Sequence, residues 1–366
     1  MHPTEQKPLK IAFISRSTLY SSPGGDTIQI GKTAECLRKI GHDVAIFTTD
    51  APIPYVQFDL FHYFNLTRPA DILFHIAQTK KPFFVSPIFL DLREFEQKAR
   101  KGWAGLITRS LSPAAAEYVK CIARRLKNGE RIRSWYYLLN GHTASVRKIL
   151  SECTALFPNS ASELSRLKAV FDYTGAADIV PCGVDASVFG SPSGVERDAN
   201  LVLCVGRIEA RKNQLSLIHA LRNTAFELVI IGKPSPNHRA YFESCRKAAG
   251  KNVQFIDNID HEELVSYYHR AAVHVLPSWF ETVGLTSLEA AYCGCNIVVT
   301  DKGDVSDYFP EHMAWYCDPA DTDSIRAAVC KAAAAPPGEA LRERIAENYS
   351  WSRVAAMMNM FYAKYL

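Results

Sequence analysis

The sequence has little of what would narrow a function at a glance. Its ten cysteines, Cys36, Cys121, Cys153, Cys182, Cys204, Cys245, Cys293, Cys295, Cys317 and Cys330, form no CxxC pair. Cys293 and Cys295 bracket one glycine, with no further ligands at zinc spacing, so buried thiols of a reducing compartment are the better expectation. The opening residues MHPTEQKPLK hold no apolar segment of the secretory kind, and no apolar run approaches the roughly 18 residues of a membrane span. The stretch FISRSTLYSSPGGD lacks G-x-G-x-x-G, which argues against a dinucleotide redox enzyme. Charge of one sign is scarce as well. A net charge of +4 over 366 residues is too mild to point to nucleic acid. The expectation is a cytoplasmic protein with an anionic ligand and no nucleic-acid partner.

What is present is length and rhythm. A chain of 366 residues is long enough for two domains. KIAFIS (10–15) reads as a buried strand, TIQIGKTAECLRKI (27–40) as an amphipathic helix and DVAIFTT (43–49) as the next strand. Further strands are expected at 58–64, 82–86, 154–158 and 177–181. The rhythm restarts after PCGVDASVFGSPSGVERDAN (181–200), a Gly-, Pro- and Ser-rich linker. LVLCVG (201–206), ELVIIG (227–232), NVQFID (252–257), VHVLPS (273–278) and NIVVTD (296–301) follow as strands with helices between them. Such alternation predicts two parallel-sheet, Rossmann-like units, with ligands beyond the carboxyl ends of the strands.

The strand LVLCVG leads into RIEARKN (207–213). Gly206 lets the backbone approach a ligand above the sheet edge, and Arg207 and Lys212 set two cations there. A fixed cation pair suits a departing diphosphate when no metal is supplied. The complementary half lies in PSWFETVGLTSLEAAYCGCN (277–296), where a helix is expected from about Gly284 through Tyr292. The N–H groups of Val283, Gly284 and Leu285 would be unpaired at its start, where the helix dipole favours an anion. Carboxylates there would repel phosphate, so they make sense facing hydroxyls: Glu281 in the loop toward a sugar, Glu289 one helix turn on toward a ribose. The plainer alternative makes Glu281 a dipole partner and Glu289 a solvated helix residue. Leu288, Ala290 and Ala291 weigh against it, since they give the helix a buried character.

Together, VGRIEARKN, PSWFETVGLTSLEAAYCG and PCGVDASVF resemble retaining nucleotide-sugar glycosyltransferases of the GT-B fold, in particular glycosyltransferase family four, whose signature is Glu, seven residues, Glu. The resemblance is strong over 180–366 and looser over 8–180. It implies an α/β protein of two Rossmann-like domains facing across a cleft: residues 1–183 on the acceptor side and 184–350 holding the nucleotide sugar. The C-terminal segment 351–366, with Trp351, would cross back to the first domain. It also implies transfer of a sugar from a UDP- or GDP-type donor to a hydroxyl of a glycan, glycolipid or other acceptor, with anomeric retention and with neither cofactor nor metal. The synthesis of a bacterial surface glycan (lipopolysaccharide, capsule or exopolysaccharide) is the setting it suggests. Residue by residue, Arg207 and Lys212 match the pair that holds the diphosphate, beside Gly206. Glu281 matches the glutamate near the donor sugar and Glu289 the one that binds ribose. Thr282, Val283, Gly284 and Leu285 match the phosphate and sugar loop, and Gly24 and Gly25 a glycine-rich loop of the first domain that approaches the phosphates.

One departure concerns the acceptor. Such enzymes often carry a histidine after a strand of the first domain. Here FFVSPIFLDLREFE (83–96) has Ile88 at that place, with Asp91 the nearest polar group. Asp91 is thus a candidate acceptor or sugar contact and a candidate general base, although a leaving phosphate can itself take the proton. His62 and Asn65, in FHYFNL, are alternatives. For His62 a satisfied core histidine is an equal reading. RRLKNGERIRSWYYLL (124–139) admits two readings: a peripheral contact with an anionic inner-membrane face or acceptor, or a solvated helical face. DTD (321–323) looks like a metal motif but precedes an apolar-periodic helix, so capping is the expectation. A nucleotide-sugar epimerase and a non-catalytic nucleotide-sugar-binding scaffold are the alternatives of the same fold.

Overall fold

The computed structural model describes residues 7–98, 115, 117–119, 121, 132–190, 195–235, 237–257 and 259–366. The basic residues Arg124, Arg125, Lys127 and Arg131 lie outside this set. Two compact units make up the chain. The first is Met1–Phe89, Gly102–Cys182 and Trp351–Leu366; the second is Leu90–Lys101 and Gly183–Ser350.

In the first unit, β1 (Lys10–Ser15), β2 (Asp43–Thr48), β3 (Leu60–Phe64), β4 (Phe83–Ser86) and β5 (Ala155–Leu156) form a parallel sheet in the order β2-β1-β3-β4-β5. Helices cover both faces of a parallel sheet, so its strands are apolar on both sides; all five residues of β3 are buried. The strand expected at 177–181 does not form as a ladder. Ala177 makes one bridge to Leu156, and although the Val180 N–H still donates to Pro158 O at 2.9 Å, Pro158 has no N–H to return.

In the second unit, β6 (Asp198–Val205), β7 (Glu227–Ile231), β8 (Val253–Ile256), β9 (Ala271–Leu276), β10 (Asn296–Thr300) and β11 (Trp315–Cys317) form a parallel sheet in the order β11-β10-β9-β6-β7-β8. The three-residue β11 is too short to stand out in the sequence. The chain lays down β6, β7 and β8 outward, then returns to place β9 on the other flank of β6. Ligands of open parallel sheets bind at such a reversal, beyond the carboxyl ends of the strands. The loops after β6 and β9 are therefore the ones to inspect.

The helix Trp351–Tyr365 belongs to the first unit. It buries Trp351, Val354, Ala355, Met358 and Tyr362, one stripe of a 3.6-residue period. Where the chain enters and leaves the second unit, Val184 and Ser350 form a bridge, and the Val184 N–H donates to Tyr349 O at 2.7 Å.

Candidate functional site

The loops after β6 and β7 pass so closely that the second leaves no room for a side chain at its glycine. Gly206 and Gly232 have φ of +146° and +145°, and a Cβ on Gly232 would lie 2.1 Å from Gly206 O. Backbone conformation thus favours glycine at both strand ends, and space requires it at Gly232. Beyond Gly206, the turn Ala210–Lys212 ends in Asn213, itself in the left-handed region at φ 61°. This path points Lys212 back over the sheet edge.

Glu281 meets it there from the neighbouring strand. Lys212 Nζ donates to Glu281 Oε2 at 2.6 Å, and Ser278 Oγ donates to the same oxygen at 3.1 Å. Glu281 is only 7 % exposed. Burial pushes its carboxyl up, but the charges of Lys212 and Arg211 and the two hydrogen bonds outweigh that and hold it below the usual carboxylate range. The loop after β10 fixes its backbone: Glu281 N–H donates to Lys302 O at 3.3 Å, and Asp304 N–H to Glu281 O at 2.9 Å. Between those two sits Gly303 at φ +104°, where a Cβ would lie 2.1 Å from Glu281 O.

A second charge group braces the first. Glu209 accepts from Arg211 Nη2 at 2.9 Å and from Ser235 Oγ at 3.0 Å, and lies 3.7 Å from Arg207 Nη2. Arg211 Nη1 also donates to Phe280 O at 3.0 Å, next to Glu281. Glu209 and Arg211 thereby tie together the loops after β6, β7 and β9. The sequence reading did not single them out. The charged string around Lys212 was the available signal, but nothing in it shows which charges turn inward.

The helix Leu285–Tyr292 begins beside Glu281. Its cap, Gly284, is left-handed at φ 71° and ψ 62°, with no side-chain cap. Among the described residues, no partner takes the N–H groups of Val283, Gly284 or Leu285. They form a donor cluster at the positive end of the helix dipole. Thr286 Oγ1 donates to Val205 O at 3.1 Å and pins this end to β6. Thr282 is half-buried and Val283 buried. Glu289, within the helix, is half-buried and accepts from Tyr268 Oη at 3.0 Å. Burial pushes its carboxyl up to about 7. The two glutamates share no partner among these bonds, and their environments shift them in opposite directions.

In the first unit, Gly24 caps the helix Gly25–Lys39 with extended backbone. Arg16 organises the loop before it, with Nε and Nη2 on the Asp26 carboxylate at 2.6 and 2.9 Å and Nη2 also on Ser22 O at 2.9 Å. His62 is fully buried, with Nδ1 2.6 Å from Tyr362 Oη and Nε2 2.9 Å from Ser86 Oγ. Both ring nitrogens are engaged inside the core, so His62 is the core histidine and offers no edge to an acceptor; that expectation is corrected. Asn65 is a left-handed turn residue (φ 76°) whose side-chain oxygen accepts from the Thr67 N–H and hydroxyl, a turn-forming role in place of the expected acceptor contact. Asp91 accepts from Arg93 Nε at 2.9 and 3.0 Å and from Arg93 N at 3.1 Å, and falls with the second unit.

Asp321 caps the helix Thr322–Ala334, accepting from Asp323 N at 2.8 Å. Among the described residues, no group of three or more His, Cys, Asp or Glu is placed to hold a metal ion. Nor is any helix among them long and apolar enough to cross a membrane.

Residues 191–350 match the family described as Glycosyl transferases group 1. A glycogen synthase of Mycobacterium tuberculosis is 28% identical over 228 residues, which cover 58% of this chain and 55% of that protein. A D-inositol 3-phosphate glycosyltransferase of Frankia alni is 28% identical over 44% of this chain and 46% of its own length. The chain thus spans about half the length of these relatives. An MMP alpha-(1->4)-mannosyltransferase of Mycolicibacterium hassiacum is 23% identical over 97% of this chain and 98% of its own. Among solved structures, sucrose-phosphate synthase from Thermosynechococcus elongatus superposes with a TM-score of 0.75 at 20% identity, covering 97% of this chain and 98% of that one. Anabaena HepE in complex with UDP and glucose gives 0.67 at 12% identity, covering 97% and 100%. At these identities the likeness speaks for the fold: two Rossmann-like, parallel-sheet domains of the GT-B kind.

Proposed function

We propose that this chain is a retaining glycosyltransferase that moves a sugar from a UDP- or GDP-type donor to an acceptor hydroxyl. The observation that carries the reading is the convergence, at the β6/β9 reversal, of Lys212 paired with Glu281, the unpaired N–H groups of Val283, Gly284 and Leu285, and Glu289 farther along the same helix.

The diphosphate would take the N–H cluster and the cations Arg207 and Lys212. An ammonium has three donors; Lys212 gives one to Glu281 and keeps two for phosphate oxygens. This neutralisation stands in the role a divalent cation plays elsewhere, so the reaction is read as metal-independent. Glu281 is held ionised and therefore cannot deliver a proton. It serves as counter-charge to Lys212 and to the positive charge that develops at the anomeric carbon. As the carbon–phosphate oxygen bond breaks, its electron pair stays with the phosphate. The acceptor oxygen bonds to the same face, and its proton passes to the departing phosphate. Glu289 would accept from the ribose hydroxyls, with Gly24 and Gly25 as further phosphate contacts and Asp91 as the remaining acceptor candidate.

The acceptor is read as a surface glycan or glycolipid. A peripheral contact with an anionic membrane face fits the exposure of Trp135 (79%) and Leu139 (81%), one helical turn apart next to the basic stretch 124–133. Isothermal titration with UDP and GDP, followed by product NMR with a donor panel in the presence of a chelator, tests the reading. Binding of one nucleotide and a product with the donor's anomeric configuration are expected. Nucleotide binding without transfer would leave a scaffold, absence of binding to both would overturn the reading, and release of an epimerised sugar would replace transfer by epimerisation.

A further inference from the structure

We propose that Tyr268 is a positioning residue for the donor site: its buried hydroxyl holds one oxygen of Glu289 and leaves the other presented to the ribose of the nucleotide. The inference rests on the glycosyltransferase reading and deepens it, by adding a residue that touches no substrate.

The geometry is asymmetric. Tyr268, in the helix His261–Arg270, is 0 % exposed, and its Oη donates to Glu289 Oε2 at 3.0 Å. Among the described residues nothing bonds Glu289 Oε1, and the residue is half-buried rather than buried. One oxygen is fixed inward and the other is open. The tyrosine is itself held in place. Its ring packs edge-on against Phe189 and His274, with centroids 6.0 Å away in both cases, and its backbone oxygen accepts from Cys295 Sγ at 2.9 Å. A phenol locked in this way can direct a carboxylate, whereas an unanchored glutamate would lose rotamer freedom on binding ribose.

The electrostatics agree. Burial disfavours the Glu289 carboxylate and raises its pKa to about 7, while the Tyr268 hydrogen bond acts in the opposite sense. Of the other ionisable groups nearby, one imidazole and two thiols carry no charge at neutral pH. His274 on β9 is pushed down to about 3 by burial and by Lys212. The thiols of Cys293 and Cys295 are pushed up by burial. Arg197, and Arg342 from the helix Glu339–Asn348, bear on Cys293. Tyr268 is thus the side chain that favours the carboxylate over the carboxylic acid. A protonated Glu289 would offer ribose a poorer acceptor.

The test compares wild type, Tyr268→Phe and Glu289→Gln from about pH 5.5 to about 9, reading UDP or GDP affinity by calorimetry and donor KM and kcat in transfer. In the wild type, nucleotide affinity should fall as pH drops through about 7. In Tyr268→Phe that midpoint should rise by on the order of one pH unit. Near neutrality KM should increase several-fold, with saturated kcat within about twofold. Glu289→Gln should bind weakly without the acid limb, and Tyr268→Phe added to it should change nothing further. An unshifted midpoint and unchanged KM in Tyr268→Phe would overturn the inference. So would a uniform loss of kcat with a lowered melting temperature at every pH, the mark of a purely structural tyrosine. Failure of the wild type to bind UDP or GDP at any pH would instead overturn the functional reading beneath it.

Discussion

Lys212 and Glu281 neutralise each other at 2.6 Å with side chains 14% and 10% exposed, so neither is a spectator when the other is changed. Removing one member of a buried pair typically costs about 3–5 kcal/mol because the partner is stranded. The residual exposure places this pair toward the low end. Lys212→Met should therefore lower both turnover, by about 10²–10³-fold, and stability. The stability loss has a definite pH sign. Glu281 is held below its ordinary value, so the pair's contribution is present above the unfolded carboxylate pKa and disappears as pH falls through the folded one. Melting curves of wild type and Lys212→Met should converge in acid. A constant gap down to about pH 3 would contradict the ion-pair account.

The separate environments of Glu281 and Glu289 were legible in the sequence, because Leu288, Ala290 and Ala291 mark a helix too apolar to be a solvated surface. The clamp of Arg211 and Glu209, and Tyr268 behind Glu289, were not. Lys212 and Glu281 are 69 positions apart, and the pairing of Tyr268 with Glu289 depends on how two helices flank β9. No local pattern encodes either contact. His62 shows the converse limit: a histidine in an apolar strand suits a core or a site equally until its burial is known.

Among the elements, the loop after β10 sets the position of Glu281 through Gly303. Gly303→Ala would drive a Cβ into the Glu281 carbonyl and impose φ +104° on an L side chain. The expected outcome is a loss of several kcal/mol and a drop in transfer, because the carboxylate cannot stay where it is. Calorimetry and initial rates would show both. A variant with wild-type stability would mean that the loop relaxes freely. Beyond the edge strand β11, Asp321→Ala should cost about 1 kcal/mol, the worth of a helix cap, and leave turnover and its response to divalent ions unchanged. A selective loss of ion-stimulated activity would restore the metal reading. Strand positions were readable because parallel strands buried on both faces run continuously apolar. The segment 177–181 was over-read for the same reason, since hydrophobicity does not reveal that Pro158 lacks the N–H the ladder needs.

For the whole molecule, buried neutral histidines make acid the weak side, and unevenly so. Burial pushes His62 and His274 to about 3 and His75 to about 4. An unfolded histidine takes its proton near pH 6.5, so each of the three removes about 1.4 kcal/mol per pH unit as pH falls below that. Two of them, His62 and His75, lie in the first unit. In the second unit burial also pushes His269 down, and the losses from His274 and His269 are opposed by Glu289, whose raised value stabilises the fold as pH falls below about 7. Hydrogen exchange at about pH 5 should therefore show the first unit opening before the second, with equal protection loss in both as the contrary result. The return of the helix Trp351–Tyr365 to the first unit bears on synthesis as well. A ribosome delivers Gly183–Ser350 as one uninterrupted block whose two ends are joined by the Val184–Ser350 bridge, but Tyr362, the partner of His62, emerges only after that block. The first unit to leave the tunnel is thus the last to be completed, reversing the usual N-to-C order of domain folding.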